Sequence, residues 1–115
     1  MIVHEISIMI STVDIVLEKA KEHNLKAIKK ITLRVGELSG VMREALNFAF
    51  KVCTKDTILE EAELCIDKVE ASAYCENCNI NYHIDHFNKL CPQCGKFALK
   101  IISGYELYVY TIEGE

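Results

Sequence analysis

The sequence lacks the features of several large protein classes. Only one of its 115 residues is proline and half are apolar, a composition too apolar and too ordered for a disordered tail. Lys and Arg number 13 against 17 Asp and Glu, and the resulting net charge of −4 disfavours nucleic acid as a partner, since duplex-binding proteins usually carry a positive surplus. The longest early uncharged stretch, residues 6–13, is far too short to cross a bilayer.

No cationic region precedes a long apolar segment, so the sequence predicts no secretory signal and a soluble, cytoplasmic protein. Six cysteines are many for a compartment that keeps thiols reduced. Four of them form two pairs, Cys75-Glu-Asn-Cys78 and Cys91-Pro-Gln-Cys94, while Cys53 and Cys65 stand alone. Clustered cysteines in such a compartment more often hold a metal than form disulfides, so the pairs are the candidate site.

Apolar periodicity predicts two helices and a short sheet. Helical spacing runs from about Ile6 to Ala20 and from about Met42 to Cys53. Alternation predicts strands at 31–35, 64–66 and 105–112, with Gly104 as a bend ahead of the last. The predicted fold class is α+β: a small three-stranded sheet packed with two helices, formed by residues 1–72 and 99–115, plus an inserted zinc-ribbon-like domain at 73–98.

The insertion needs a cross-link, because about 25 residues rich in polar side chains cannot build an apolar core. Two residues between cysteines let one tight turn aim both sulfurs at one point, and Asn79 and Gly95 tolerate the left-handed conformation that often follows. Two such turns predict a closed structural zinc site, whose four ligands are Cys75, Cys78, Cys91 and Cys94. A redox dithiol is disfavoured by the doubling of the motif, whereas a rubredoxin-like iron site fits the same spacing.

Two histidines and two cysteines lie outside the pairs. His83 and His86 follow the first pair and offer extra metal ligands, although solvent-facing loop residues are the more typical outcome. Cys53 and Cys65, on a predicted helix face and a predicted strand, are typical of buried inert thiols. No nucleophile–base pair or phosphate loop is evident, so the sequence does not predict an enzyme.

A histidine close to the chain start is a candidate site for a second metal. The α-amine, a backbone amide and an imidazole can enclose one ion in fused chelate rings, and such planar nitrogen donors suit Ni(II) or Cu(II). Here the candidate is His4-Glu5, placed just ahead of the first predicted helix. Taken by itself, a histidine near the chain start is more typical of an exposed surface residue that binds no metal.

Several runs of this sequence resemble the HypA/HybF family of nickel–iron hydrogenase maturation factors. They occur in the family's order along nearly the whole chain: His4-Glu5-Ile6-Ser7-Ile8, Val35-Gly36-Glu37-Leu38-Ser39-Gly40-Val41, Glu44-Ala45-Leu46-Asn47-Phe48-Ala49-Phe50, the paired CxxC turns and Ser103-Gly104-Tyr105-Glu106-Leu107. The resemblance implies a nickel metallochaperone with Ni(II) as cargo near the N-terminus, at His4 and Glu5, and a structural Zn(II) site. It also implies two partners, the GTPase HypB and the hydrogenase large-subunit precursor; some members support urease maturation.

The start of the chain departs from the family pattern, which begins Met-His-Glu. Here Met1-Ile2-Val3 precede His4, and the two extra residues prevent the compact amine–amide–imidazole chelate from forming in the same way. Translation from a GUG codon at Val3 would restore the pattern. Because imidazole binds metal only when neutral, nickel affinity is expected to fall as the pH drops through about 6.5.

Three questions stay open at the level of sequence. A nucleic-acid-binding zinc ribbon and a rubredoxin-like electron carrier share the cysteine spacing, although neither accounts for the α+β part. Glu37 and Glu44 flank the 38–41 connector and are more typical of solvated surface charges than of ligands. Whether the protein forms a homodimer is not decided by the residues.

Overall fold

The computed structural model describes the backbone of residues 2–115 and the side chains from His4 onward. Two helices and six strands follow one another as α1 (Ile2–Glu22), β1 (Ile28–Gly36), α2 (Arg43–Thr54), β2 (Glu63–Val69), β3 (Ser72–Cys75), β4 (Ile80–His83), β5 (Lys100–Ser103) and β6 (Leu107–Gly114). Within this part of the chain, neither helix has the length and apolar character that crossing a bilayer requires.

The chain divides into two compact units, and neither is contiguous in sequence. Unit 1 comprises the chain up to Arg34, Val41–Asp67 and Tyr108–Glu115, and unit 2 comprises Val35–Gly40 and Lys68–Leu107. The predicted insertion at 73–98 lies inside unit 2. Unit 2 extends beyond the insertion on both sides, because β3 and β5 pair with each other, and it also includes residues 35–40.

Unit 1 contains the predicted three-stranded sheet and both helices. The sheet has the order β2-β1-β6, and α1 packs against α2. The stripe that the sequence predicted on the first helix is buried, and its members are Met9, Val13, Val16 and Ala20. Ile31 and Leu33 of the central strand are buried as well, and so is one face of α2. The α+β prediction is confirmed.

The first helix begins earlier than predicted. Its hydrogen-bonded turns start at Ile2, so His4 and Glu5 lie within α1 rather than ahead of it. Glu5 stands one turn before Met9 on the buried stripe and is itself fully buried. A carboxylate at that position interrupts the apolar pattern, which is why periodicity placed the start too late.

Unit 2 contains a second small sheet that the sequence did not predict. Its order is β4-β3-β5, with β3 antiparallel to both neighbours; Ser72 pairs with His83 and Cys75 with Ile80. Four-residue strands carry too little alternation to be recognised beside a metal-binding motif. The predicted bend at Gly104 is present, with φ of +126°, and a Cβ there would lie 2.7 Å from the Cβ of Ala71.

Candidate metal centres

The four paired cysteines converge in unit 2. All their Sγ atoms lie within 4.8 Å of one another, with 3.6 Å between Cys75 and Cys94 and 4.0 Å between Cys91 and Cys78. A tetrahedral ion with Zn–S bonds of ~2.3 Å requires sulfur–sulfur separations of ~3.8 Å. The sulfurs are therefore already spaced as ligands of one tetrahedral metal ion.

Two matching turns bring the sulfurs to this point. The N–H of Asn79 donates to the carbonyl of Cys75 at 2.7 Å, and the N–H of Gly95 donates to the carbonyl of Cys91 at 2.9 Å. Asn79 and Gly95 have φ of 56° and 76°, the left-handed conformation that the spacing predicted. Strand β3 ends at Cys75, so the sheet fixes the first turn, while the bridge between Leu90 and Phe97 frames the second.

Two of the four thiols, Cys94 and Cys78, have strongly different proton affinities. The N–H of Lys96, hydrogen-bonded to the sulfur, lowers the pKa of Cys94 to about 7. Burial and the surrounding sulfurs raise the pKa of Cys78 to about 12. The protein alone thus stabilises the Cys94 thiolate and opposes ionisation of Cys78. A divalent cation would supply the charge that lets all four deprotonate, so the donor set fits a tetrathiolate metal site.

The remaining two cysteines lie in unit 1 and are not members of the cluster. Cys53, in α2, and Cys65, in β2, are half-buried and free. Burial raises the pKa of both thiols, and the Cys65 sulfur donates to Glu63 at 3.4 Å. Both are poor nucleophiles at neutral pH, as the prediction of inert thiols requires.

The two N-terminal candidates have opposite surroundings. The His4 side chain is exposed, whereas Glu5 is fully buried. The Met42 N–H donates to Glu5 Oε2 at 3.0 Å. Met42 is the N-cap residue of α2 and has no side-chain cap of its own. Glu5 therefore places a carboxylate at the N-terminus of α2, where orphan N–H groups and the helix dipole favour an anion.

This contact lowers the pKa of Glu5, with the hydrogen bond from Met42 as the main cause and burial opposing it. The fold thus favours the ionised form of the Glu5 carboxylate. The chain start itself, including the Met1 amine and the side chains of Ile2 and Val3, lies outside the described residues.

A second carboxylate proved to be structural rather than solvated. Glu37 Oε1 lies 2.9 Å from His83 Nε2 and accepts the Ala71 N–H at 3.0 Å, and its side chain is only 19% exposed. The hydrogen bond from Ala71, followed by that of His83, lowers the pKa of Glu37, while Glu37 raises the pKa of His83. The expectation of a surface charge was wrong for Glu37, and His83 ends strand β4 instead of lying free in a loop. His86 is exposed, as expected.

Comparison with known proteins identifies a family and several relatives of this chain. The family described as "Hydrogenase/urease nickel incorporation, metallochaperone, hypA" matches residues 3–114. A hydrogenase maturation factor HypA of Chlorobaculum parvum is 42% identical over 95% of this chain and 96% of its own. Another from Geobacter metallireducens is 38% identical, covering 97% and 99%. The hydrogenase maturation factor HybF of Klebsiella pneumoniae is 36% identical with the same coverage of 97% and 99%.

Solved structures show the same fold. The solution structure of the Ni metallochaperone HypA from Helicobacter pylori superposes with a TM-score of 0.67 at 20% identity, covering 96% of both chains. A second solution structure, of a HypA protein, gives 0.66 at 23% identity, covering 98% of this chain and 97% of that one. At these identities the likeness concerns the fold alone.

Proposed function

The chain belongs to the HypA family of hydrogenase and urease nickel-incorporation metallochaperones, and on that premise we propose that it binds Ni(II) near its N-terminus and delivers it for maturation of a nickel–iron hydrogenase. The observation that best supports the proposal is the contrast between donors. Four sulfurs of unit 2 surround one point, while the His4 imidazole of unit 1 is open to solvent. A carrier needs a site from which the ion can leave, and an exposed imidazole allows stepwise ligand exchange.

The four-cysteine site is proposed to hold Zn(II) as a structural ion. Its ligands would be Cys75, Cys78, Cys91 and Cys94, which leave no open position for cargo or water. Zinc there supplies a cross-link between the two turns. An iron ion fits the same donors, and a coloured protein with visible absorption would contradict the zinc assignment.

Nickel is proposed to bind through His4 with Glu5 as a further ligand. The two residues are adjacent in the first turns of α1, but the Glu5 carboxylate already accepts the Met42 N–H. Nickel would compete with that N–H for the carboxylate. The His4 imidazole is therefore expected to dominate affinity, and Glu5 to contribute less.

The nickel proposal is tested by calorimetric titration with Ni(II) of zinc-loaded protein whose N-terminus has been verified by mass. We expect His4→Ala to abolish nickel binding while zinc stays at about one per chain. His23→Ala, a substitution of another exposed histidine on the same stretch of chain, serves as the matched control and should bind nickel normally. Retained nickel binding in His4→Ala, or equal loss in both variants, contradicts the assignment.

The length of the N-terminus needs its own comparison. A shortened version that begins at residue 3, with Met in place of Val3 so that the chain starts Met-His-Glu, restores the amine–amide–imidazole geometry. Tighter nickel binding by that version would support a native start at residue 3. Equal nickel affinity in the two versions would indicate that side chains, and not the α-amine, provide the nickel ligands.

The proposed partners follow from family membership. They are the GTPase HypB as a nickel source or co-carrier and the hydrogenase large-subunit precursor as acceptor; any GTP hydrolysis would then belong to the partner, and no catalytic step is proposed for this chain. Nickel transfer to the precursor, measured with and without this protein, tests the role directly.

A further inference from the structure

Unit 2 carries an open groove beside the cysteine site. It measures ≈ 490 Å³ and is lined chiefly by Tyr74, Tyr82, Lys96, Phe97, Leu99 and Lys100. Leu99 is 96% exposed and Phe97 64% exposed. Single exposed apolar residues are ordinary, but two beside one groove mark an interaction surface.

The groove of ≈ 490 Å³ combines these apolar side chains with positive charge. Lys96 and Lys100 line it, and Lys100 Nζ lies 5.9 Å from the centre of the Tyr74 ring. Glu76 is the one acidic residue of the lining. Between residues 86 and 105 the chain has three lysines and no Asp or Glu, in a protein whose net charge is −4. The groove is therefore a locally basic surface on an acidic molecule.

The adjoining strand favours an extended occupant. β5 begins at Lys100, which also lines the groove. It is an outer strand of its sheet, and within the described part of the chain its one strand partner is β3. Outer strands present N–H and C=O groups that an extended peptide can pair with, while side-chain pockets beside the strand select its residues. Leu99 stands almost wholly in solvent, whereas a small-molecule pocket encloses most of its ligand.

From this juxtaposition we propose that the groove docks an extended segment of a partner protein in which acidic residues accompany large apolar ones. Apolar side chains of the segment pack on Phe97 and Leu99, and its carboxylates face Lys96 and Lys100. Single-stranded nucleic acid is the less favoured occupant, because it carries a negative charge at every phosphate, whereas a mixed peptide can place an apolar residue beside Glu76. This surface gives unit 2 a role separate from nickel binding.

The test uses the full-length, zinc-loaded protein and a fluorescent peptide of about ten residues in which Glu alternates with Leu and Phe. Anisotropy titrations should show binding of this peptide and none of the matched peptide with Lys in place of Glu. Leu99→Asp and Lys100→Glu should each weaken binding by about tenfold or more. Added salt should also weaken binding.

Two variants of the same chemical change serve as controls. Phe87→Asp alters a side chain that is 98% exposed, and Lys68→Glu alters an exposed lysine; neither residue lines the groove. Both should leave peptide affinity within about twofold. Absence of binding by the acidic peptide, or equal loss in the controls, overturns the proposal. Binding of a thymidine oligonucleotide that is lost in Lys100→Glu would overturn it in favour of nucleic acid. Nickel binding by all four variants is expected to be normal, so failure here is distinguishable from failure of the carrier function.

Discussion

The two units bury different kinds of side chain. Most of the largest fully buried residues of unit 1 are apolar, and they include Met9, Ile31, Leu33, Leu46 and Leu59, although Glu5 and Thr54 are fully buried as well. The buried cluster of unit 2 has eight members, of which three are alanine and two are cysteine: Leu38, Ala71, Ala73, Cys75, Tyr82, Ile84, Cys91 and Ala98. Small side chains remove little apolar area from water, so unit 2 gains less from burial than unit 1.

The difference shows why the two candidate metal sites have different consequences for the fold. In unit 2 the proposed ligands Cys75 and Cys91 are themselves core residues, and Cys78 and Cys94 pack against that core, so loss of a metal bound there would disturb the core. In unit 1 the exposed His4 contributes nothing to the buried stripe of α1. Metal binding and folding are thus expected to be coupled in unit 2 and independent at His4.

The largest predicted effect comes from Cys75→Ser. Structural zinc sites contribute apparent binding free energies of about 10–16 kcal/mol, and an alcohol cannot replace the thiolate. We expect zinc to fall from about one per chain to near zero and the amide signals of unit 2 to lose their dispersion. The helical circular dichroism should persist, since both helices belong to unit 1.

Cys65→Ser is the matched control, because Cys65 is a half-buried thiol outside the cluster. It should retain both the zinc and the unit 2 signals. Loss of the helices in Cys75→Ser would show that the two units do not fold separately, and retained zinc would show that the cluster is not the zinc site.

An intermediate effect is expected at Glu5, within unit 1. Glu5→Ala deprives the α2 N-terminus of its acceptor and should lower the thermal midpoint of unit 1 by roughly 4–8 °C, while Glu5→Gln keeps an acceptor oxygen and should lose less. Because the fold lowers the pKa of Glu5, its stabilisation is present above the ordinary value of 4.5 and is lost as the pH falls through the lowered value.

Thermal melts of the wild type, Glu5→Ala and Glu5→Gln at several pH values measure both parts of this prediction. Glu5→Gln should lack the acid-dependent loss that Glu5 causes in the wild type. A midpoint unchanged in Glu5→Ala would mean that the contact with Met42 carries no stability.

The smallest effect is expected at the pair of Glu37 and His83. Glu37 raises the pKa of His83, so the stabilisation from His83 is complete below 6.5 and is lost as the pH rises through the raised value. His83 and the Ala71 N–H lower the pKa of Glu37, so its stabilisation is present above 4.5 and is lost as the pH falls through the lowered value. The pair therefore stabilises unit 2 most between 4.5 and 6.5.

Proton NMR titration of the His83 ring measures this coupling without depending on global stability. Glu37→Gln should lower the His83 pKa toward the ordinary value, and Glu44→Gln, which alters an exposed carboxylate of unit 1, should not change it. An unchanged His83 titration in Glu37→Gln would show that the pair does not form in solution.

Patterns within one element predicted the fold well. The stripe of Met9, Val13, Val16 and Ala20 identified α1, and the two CxxC turns identified four sulfurs that the structure brings within 4.8 Å. Both signals are local, because a helix turn and a metal-binding turn are each completed within a few residues.

Contacts between distant residues could not be predicted in this way. Glu37 and His83 are 46 residues apart, and Glu5 and Met42 are 37 apart. The residues next to Glu5 and Glu37 in the sequence do not identify the partner of either carboxylate, because that partner is set by tertiary packing. Such a contact leaves no periodic signal in a single sequence, which is why Glu37 was expected at the surface and Glu5 ahead of the helix.

The interleaving of the units has a consequence for how the chain folds on the ribosome. Unit 2 is complete once Leu107 has been made, whereas unit 1, although it contains the first helix, also needs the strand residues Tyr108–Glu115. Vectorial synthesis usually lets the N-terminal part of a protein fold first. Here the residues of unit 2 are complete earlier in synthesis than those of unit 1, so the metal ion proposed for the four cysteines would be able to bind before the last strand of the unit 1 sheet is in place.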